Sequence, residues 1–195
     1  MKQTKIMKAK KIILASNSPR RRELLAGLDI SFEVKVIPGI DESYPEDLPA
    51  VEVPQYISKA KADAYLGMID NDTMVITADT VVVLDDEILG KPVDDDDACR
   101  ILHKLSGKTH QVITGVCLTS LDKQRVFAVT TGVTFKQFTE QEIDYYVSHY
   151  HPLDKAGAYG IQEWIGHIGV TALNGSYFNV MGLPVQRIYM EMQDF

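Results

Sequence analysis

Cysteine is scarce: Cys99 and Cys117 are the only two in 195 residues. They form no CxxC pair and no His stands at zinc-finger distance, which argues against a disulfide scaffold and for a reducing compartment. No apolar run approaches the roughly 20 residues needed to span a bilayer. Met1–Lys10 is rich in lysine, but no apolar stretch follows it, so it does not read as a signal peptide. From these features a cytoplasmic protein is expected. Positive charge is also short, with 20 Lys and Arg against 27 Asp and Glu and a net charge of −7. That balance argues against non-specific binding to nucleic acid or an anionic membrane. A polyanionic ligand would have to be met by a local positive pocket. The standard signatures for phosphates and catalytic zinc are missing too. There is no GxGxxG or HExxH, and the stretch from Gly107 to Thr109 fails as a P-loop because Leu102 stands where the first glycine is required.

Against that background, Ser16–Glu23 stands out, with two serines, a proline and three consecutive arginines directly after the apolar run Lys11–Ala15. Ser18 suits an N-cap and Pro19 the first helical position. Free N–H groups and the positive dipole end at such a helix start favour an anion. At about 100° per residue, Leu24, Leu25 and Leu28 define one apolar face. Arg21 falls on that face and Arg20 near its edge, whereas Arg22 points to solvent. An inward-facing arginine must meet an anion or a cleft, because burying an unpaired charge is costly. The segment therefore reads as a phosphate site built on Ser16, Ser18 and Arg21.

The remaining pattern alternates strands and helices. A strand over Lys11–Ala15 leads to a helix over Pro19–Leu28, then to a strand near Phe32–Ile37 and a Pro/Gly-rich loop. Val53–Ile69 reads as one amphipathic helix. Met74–Thr77 and Thr80–Leu84 are β-rich and end at the acidic turn Asp85–Glu87. Asp94–Leu105 is helical, and its acidic run is a solvated helix start rather than a metal site. Thr109–Ser120 and Gln124–Lys136 form an antiparallel pair. Thr139 with Glu142 makes a capping box, and a short helix follows Pro184. The sum is an α/β fold with a mixed sheet flanked by helices. Residues 1–10 are expected to be an extension to a domain spanning 11–195.

Chemistry-bearing residues recur along this frame. Asp79, read at the carboxyl end of the Met74–Ala78 strand, sits where open α/β sheets bind ligands, and a carboxylate there can hold Mg²⁺ or take a proton from water. Glu42, in the loop, is a second candidate ligand. Lys61 lies on the flank of its helix face, opposite Lys59. Lys91 occupies a Gly-Lys-Pro turn, so either Lys61 or Lys91 could meet phosphate as a point charge. His103 and His110 read as packing or surface residues. In Asp154–Gln162, small residues allow close backbone approach, and the Gln162 amide suits the edge of a base.

Taken together, Ser16–Arg21, Ala78–Thr80, Gly90–Pro92, Leu105–Val112, Asp154–Gln162 and the turns at Gly175–Ser176 and Gly182–Pro184 resemble, in order, the Maf family of nucleoside triphosphate pyrophosphatases. The resemblance implies a fold similar to inosine triphosphate pyrophosphatase, with two lobes around a cleft. It also implies a homodimer, a divalent metal cation (Mg²⁺ or Mn²⁺), and hydrolysis of a triphosphate to monophosphate and pyrophosphate. The Ala78–Thr80 motif and Ala156–Gln162 look like the subgroup acting on dTTP and UTP; a broad house-cleaning activity on modified pyrimidine nucleotides is a second enzyme reading. By the same resemblance Asp79 is the proton acceptor or a metal ligand shared with Glu42. Arg20, Thr80 and Gln162 match positions linked to substrate choice, and Arg21, Lys61 and Lys91 match phosphate-binding positions. Glu163–Trp164 departs from the family pattern, where glycine usually follows. The rival is a nucleotide-binding regulator of cell division, a septum-formation inhibitor without significant turnover.

Overall fold

The computed structural model describes residues 11–195; the expected 1–10 extension lies outside them. The chain runs β1 (Lys11–Leu14), α1 (Pro19–Ala26), β2 (Glu33–Val34), α2 (Val53–Asp63), β3 (Thr73–Leu84), β4 (Glu87–Leu89), α3 (Asp95–Leu105), β5 (Thr109–Thr119), β6 (Gln124–Phe135), α4 (Glu140–Tyr150), α5 (Trp164–Gly169), β7 (Val170–Asn174), α6 (Tyr177–Val180) and α7 (Val185–Gln193). The sheet order is β2-β1-β3-β5-β6-β7, with β4 on β3. β1 pairs in parallel with β2 and β3, and the other pairs are antiparallel, giving the expected mixed sheet.

The long strand β3 organises the molecule. One edge pairs continuously with β5, from Val75 to Val83. Its other edge is shared: β1 stops opposite Ile76, and β4 begins opposite Val82. Between them a stretch of β3 has no strand beside it, and this gap becomes the floor of a cleft. Asp85 and Asp86, both at positive φ (50° and 65°), close the β3–β4 hairpin, as a two-residue turn of this hand requires.

Alternation along β3 assigns its two faces. Met74, Ile76 and Ala78 pack with Leu24, Leu25, Leu183 and Ile188 of α1 and the C-terminal segment. Val82 and Leu84 point the same way, into a separate core with α3 and α4. Thr80 lies between these two apolar cores. On the opposite face, Val81 and Val83 pack with Val53 and Ile57 of α2. Two cores at the two ends of one strand, with a polar gap between them, constitute the two lobes.

Three of the expected elements change, and β4, α5, β7 and α6 have no counterpart in the sequence reading. The Val53–Ile69 helix ends at Asp63. Tyr65 is buried, and its hydroxyl accepts from Ile37 N–H at 3.1 Å and donates to Lys35 O at 2.8 Å, turning the chain out of helix. The strand near Phe32–Ile37 contracts to the exposed pair Glu33–Val34. Asp79 is not at a strand end but inside the twelve-residue β3.

Close approach of α2 to the sheet depends on Gly115, the β5 partner of Asp79. A Cβ there would lie 2.2 Å from the Pro54 carbonyl atoms, which are backbone and cannot rotate away. Gly115→Ala is expected to force α2 outward and to cost about 1–3 kcal/mol. Urea denaturation measures that loss, and a parental midpoint would show that α2 has room to move.

Candidate active site

The functional residues converge because three segments end at the gap in β3. The first is the turn between β1 and α1. Ser18 caps α1 by accepting from Arg21 N–H at 3.4 Å, as its place before Pro19 predicts, and Ser16 Oγ accepts from Ser18 N–H at 3.2 Å. Arg21 then reaches inward. Its Nε donates to Gly182 O at 2.8 Å, Nη1 to Ala78 O at 2.8 Å, and Nη2 to Thr80 Oγ1 at 3.1 Å. Ala78 O is available because no strand pairs with β3 there. Three of the five guanidinium N–H groups are thus used in tying α1 to β3 and to the turn before α7. Burial pulls the Arg21 pKa below its usual value, partly offset by the Asp79 charge. Arg22 is exposed, as the helical face requires.

The second segment is α2, which brings Lys61 to Asp79. Lys61 Nζ lies 3.0 Å from Asp79 Oδ1 and 3.0 Å from Glu42 Oε2. The Lys61 and Asp79 side chains are only 15% and 16% exposed, whereas Glu42 is 56% exposed on its loop. Lys59 faces the other way and pairs with Asp63 at 2.7 Å. Two carboxylates already converge on one positive charge. That donor set fits Mg²⁺, which takes one or two carboxylates and completes its shell with water and phosphate. No group of three or more His, Cys, Asp or Glu residues that could hold a metal occurs among the described residues, the acidic start of α3 included. Asp94 there caps the helix.

The third segment is 152–162, which forms two 3₁₀ turns, Pro152–Asp154 and Ala156–Ala158. Gly157 N–H donates to Gly90 O at 3.0 Å, joining this segment to the turn that carries the exposed Lys91. Arg20 pairs with Asp154 at 2.9 Å. The buried Lys155 bridges Asp154 at 2.7 Å and Glu163 at 3.2 Å. Burial alone would raise the Asp154 pKa, but hydrogen bonds from Lys155 and Arg20 outweigh it and hold the carboxyl below its usual range. Glu163 also accepts from the Tyr146 hydroxyl. The departure at Glu163 is thus absorbed into an ion pair at the rim. Gln162 lines the cleft, and its Oε1 is buried with no hydrogen-bond partner.

These residues line two adjoining cavities of about 520 and 180 Å³ that share Ser18, Arg20, Arg21, Glu42, Lys61, Lys91 and Asp154. Ser16 lies in the larger, and Asp79, Thr80 and Gln162 lie in the smaller. Every sequence-stated candidate therefore borders one cleft. Arginine and lysine outnumber carboxylates on its walls, so the acidic chain carries a positive pocket suited to a polyphosphate. Sequence reasoning did not single out Lys155 or the Gly182 carbonyl. Lys155 was within a quoted run, but its burial is a tertiary fact, and a backbone carbonyl leaves no side-chain signal.

Behind the cleft wall, His110 is buried with Nε2 2.7 Å from the Tyr159 hydroxyl, while Nδ1 has no partner. Burial pushes the imidazole down to about 4. In the unfolded chain it titrates near 6.5, so between those values the unfolded state binds a proton that the folded state refuses. Stability is therefore lost as pH falls from about 6.5 towards 4. His110→Gln is expected to lose about 2–3 kcal/mol less than the parent on going from pH 7 to 4.5. Parallel urea curves at both pH values measure this, and equal losses would contradict it.

Among known proteins, the chain is similar to the dTTP/UTP pyrophosphatases of Phocaeicola vulgatus, with 61% identity over 94% of this chain and 95% of the relative, and of Parabacteroides distasonis, with 54% identity over 97% and 98%. It is also similar to the solved HAM1 protein of Coxiella burnetii, with 15% identity, 95% and 99% coverage and a TM-score of 0.49. The family model described as Maf-like protein matches residues 11–195. With that match spanning every segment that meets at the cleft, the chain belongs to the Maf family.

Proposed function

We infer that the chain is a nucleoside triphosphate pyrophosphatase that hydrolyses dTTP and UTP to the monophosphate and pyrophosphate. The observation that carries this reading is Asp79, anchored by Lys61 in a positive cleft of a chain 61% identical to a dTTP/UTP pyrophosphatase. The residues divide the work by position. Asp79, fixed by its strand and by Lys61, orients a water for attack at the α-phosphorus and takes its proton. Arg20, Lys61 and Lys91 supply positive charge where pyrophosphate departs. Arg21, with two N–H groups left, adds to that charge while holding the floor in place. Thr80 and Gln162 face the base or sugar. Glu42 and Asp79 would hold Mg²⁺ or Mn²⁺, which when bound neutralises phosphate charge. Catalysis of this kind is mostly positioning and charge stabilisation.

A binding-only regulator is not favoured, since phosphate capture alone gives no use for a carboxylate anchored beside the cations. Assay of dTTP, UTP, CTP and GTP with Mg²⁺ is expected to give pyrophosphate and monophosphate from dTTP and UTP. Tight binding without pyrophosphate would overturn the reading. Chelation with EDTA is expected to abolish turnover and added Mg²⁺ or Mn²⁺ to restore it; undiminished rates in EDTA would remove the metal from the account.

No helix among the described residues is long and apolar enough to cross a membrane. We also propose a homodimer, on the family resemblance, and a cytoplasmic location, on the scarcity of cysteine and the absence of a signal-like stretch. Light scattering distinguishes the mass of two chains from that of one.

A further inference from the structure

The polar gap between the two apolar cores contains a hydrogen-bond chain whose direction can be worked out proton by proton. Arg21 Nη2 donates to Thr80 Oγ1 at 3.1 Å. Thr80 Oγ1 lies 2.9 Å from Thr114 Oγ1, its cross-strand partner on β5. Thr114 Oγ1 lies 3.1 Å from Asn179 O in α6. A guanidinium can only donate and a carbonyl can only accept. With the Thr114 proton given to Asn179 O, which also accepts from Gly182 N–H at 2.9 Å, Thr114 accepts from Thr80. The Thr80 proton therefore points away from the cleft, and one of its two lone pairs is taken by Arg21. What Thr80 has left for the cleft is a lone pair.

We propose that Thr114 is a positioning residue: it turns the Thr80 hydroxyl into an obligate acceptor, and the cleft thereby selects a substrate group that donates. The inference rests on the pyrimidine pyrophosphatase reading and deepens it. The donor that distinguishes pyrimidines is the imide N3–H, which uracil and thymine share and neutral cytosine lacks, its N3 being an acceptor. Where the Thr80 acceptor faces N3, it meets uracil and thymine with a hydrogen bond and cytosine with two facing lone pairs. Thr114 is fully buried and touches no part of the cleft itself. Thr80 is the cleft-lining side chain that it bonds.

The test is the ratio of kcat/KM for UTP over CTP in the parent, Thr114→Ser, Thr114→Val and Thr80→Val enzymes. Thr114→Val keeps the shape but frees the Thr80 proton to swing towards the cleft. It is expected to lower the UTP:CTP ratio about tenfold, mainly through KM. Thr114→Ser restores the relay and keeps the parental ratio. Thr80→Val is expected to lower the ratio comparably, and the double variant no further, because both act on one hydrogen bond. A merely structural role for Thr114 would depress both substrates in parallel. An unchanged ratio in Thr114→Val, or independent additive effects of the two valines, overturns the proposal. A parent enzyme that releases no pyrophosphate from UTP overturns the reading beneath it instead, so the two failures are distinguishable.

Discussion

Asp79→Asn is expected to fold like the parent and to lose roughly a thousandfold in kcat, within the range found for positioned proton acceptors. Asparagine has nearly the same shape and can still accept from Lys61, which also keeps its contact with Glu42 at 3.0 Å. What disappears is the negative charge that, in the proposed reaction, takes a proton from water and would help Glu42 hold a cation. The loss should fall on kcat, because the cations of the cleft remain to bind the triphosphate. Initial rates of pyrophosphate release, read beside the urea midpoint, separate chemistry from stability. Near-parental turnover would sink the assignment of Asp79.

Arg21→Lys is the second large effect, and it combines stability with activity. Lysine keeps the charge but has no planar fork, so it cannot serve Gly182 O, Ala78 O and Thr80 Oγ1 together. Buried acceptors left without donors cost about 1–3 kcal/mol each, so a total loss of about 2–4 kcal/mol is expected. Because those bonds align α1, the floor of the cleft and the turn before α7, kcat/KM is expected to fall about a hundredfold or more. Arg22→Lys, on the exposed side of the same helix turn, is expected to change neither quantity. Equal effects at the two positions would show that charge at the helix start matters and the fork does not.

The contrast between Arg21 and Arg22 was legible in the sequence, because helical periodicity fixes which side chain follows Leu25 inward. So were the Thr139–Glu142 capping box, the β5–β6 hairpin and the solvated acidic start of α3, each written in local residue chemistry. The setting of Asp79 was not. Ala78-Asp79 has little strand preference and reads as a break between two strands. The strand runs through it because β5 pairs with β3 at every position from Val75 to Val83, a tertiary constraint that overrides local propensity. The end of α2 was hidden for a similar reason, since the hydroxyl of Tyr65 finds its partners about thirty residues away. The hydroxyl chain from Thr80 to Asn179 crosses two strands and a helix, so no spacing rule along the sequence could reveal it. The family resemblance supplied the site residues as a set; the geometry adds how Lys61, Arg21 and Thr114 hold them.

The central claim is that this cleft directs water at the α-phosphorus and releases pyrophosphate intact. Hydrolysis of UTP in ¹⁸O-labelled water, with both products read by mass spectrometry, tests it most directly. The account predicts one label in UMP and none in pyrophosphate. Label in pyrophosphate, or UDP and inorganic phosphate as the products, would contradict it.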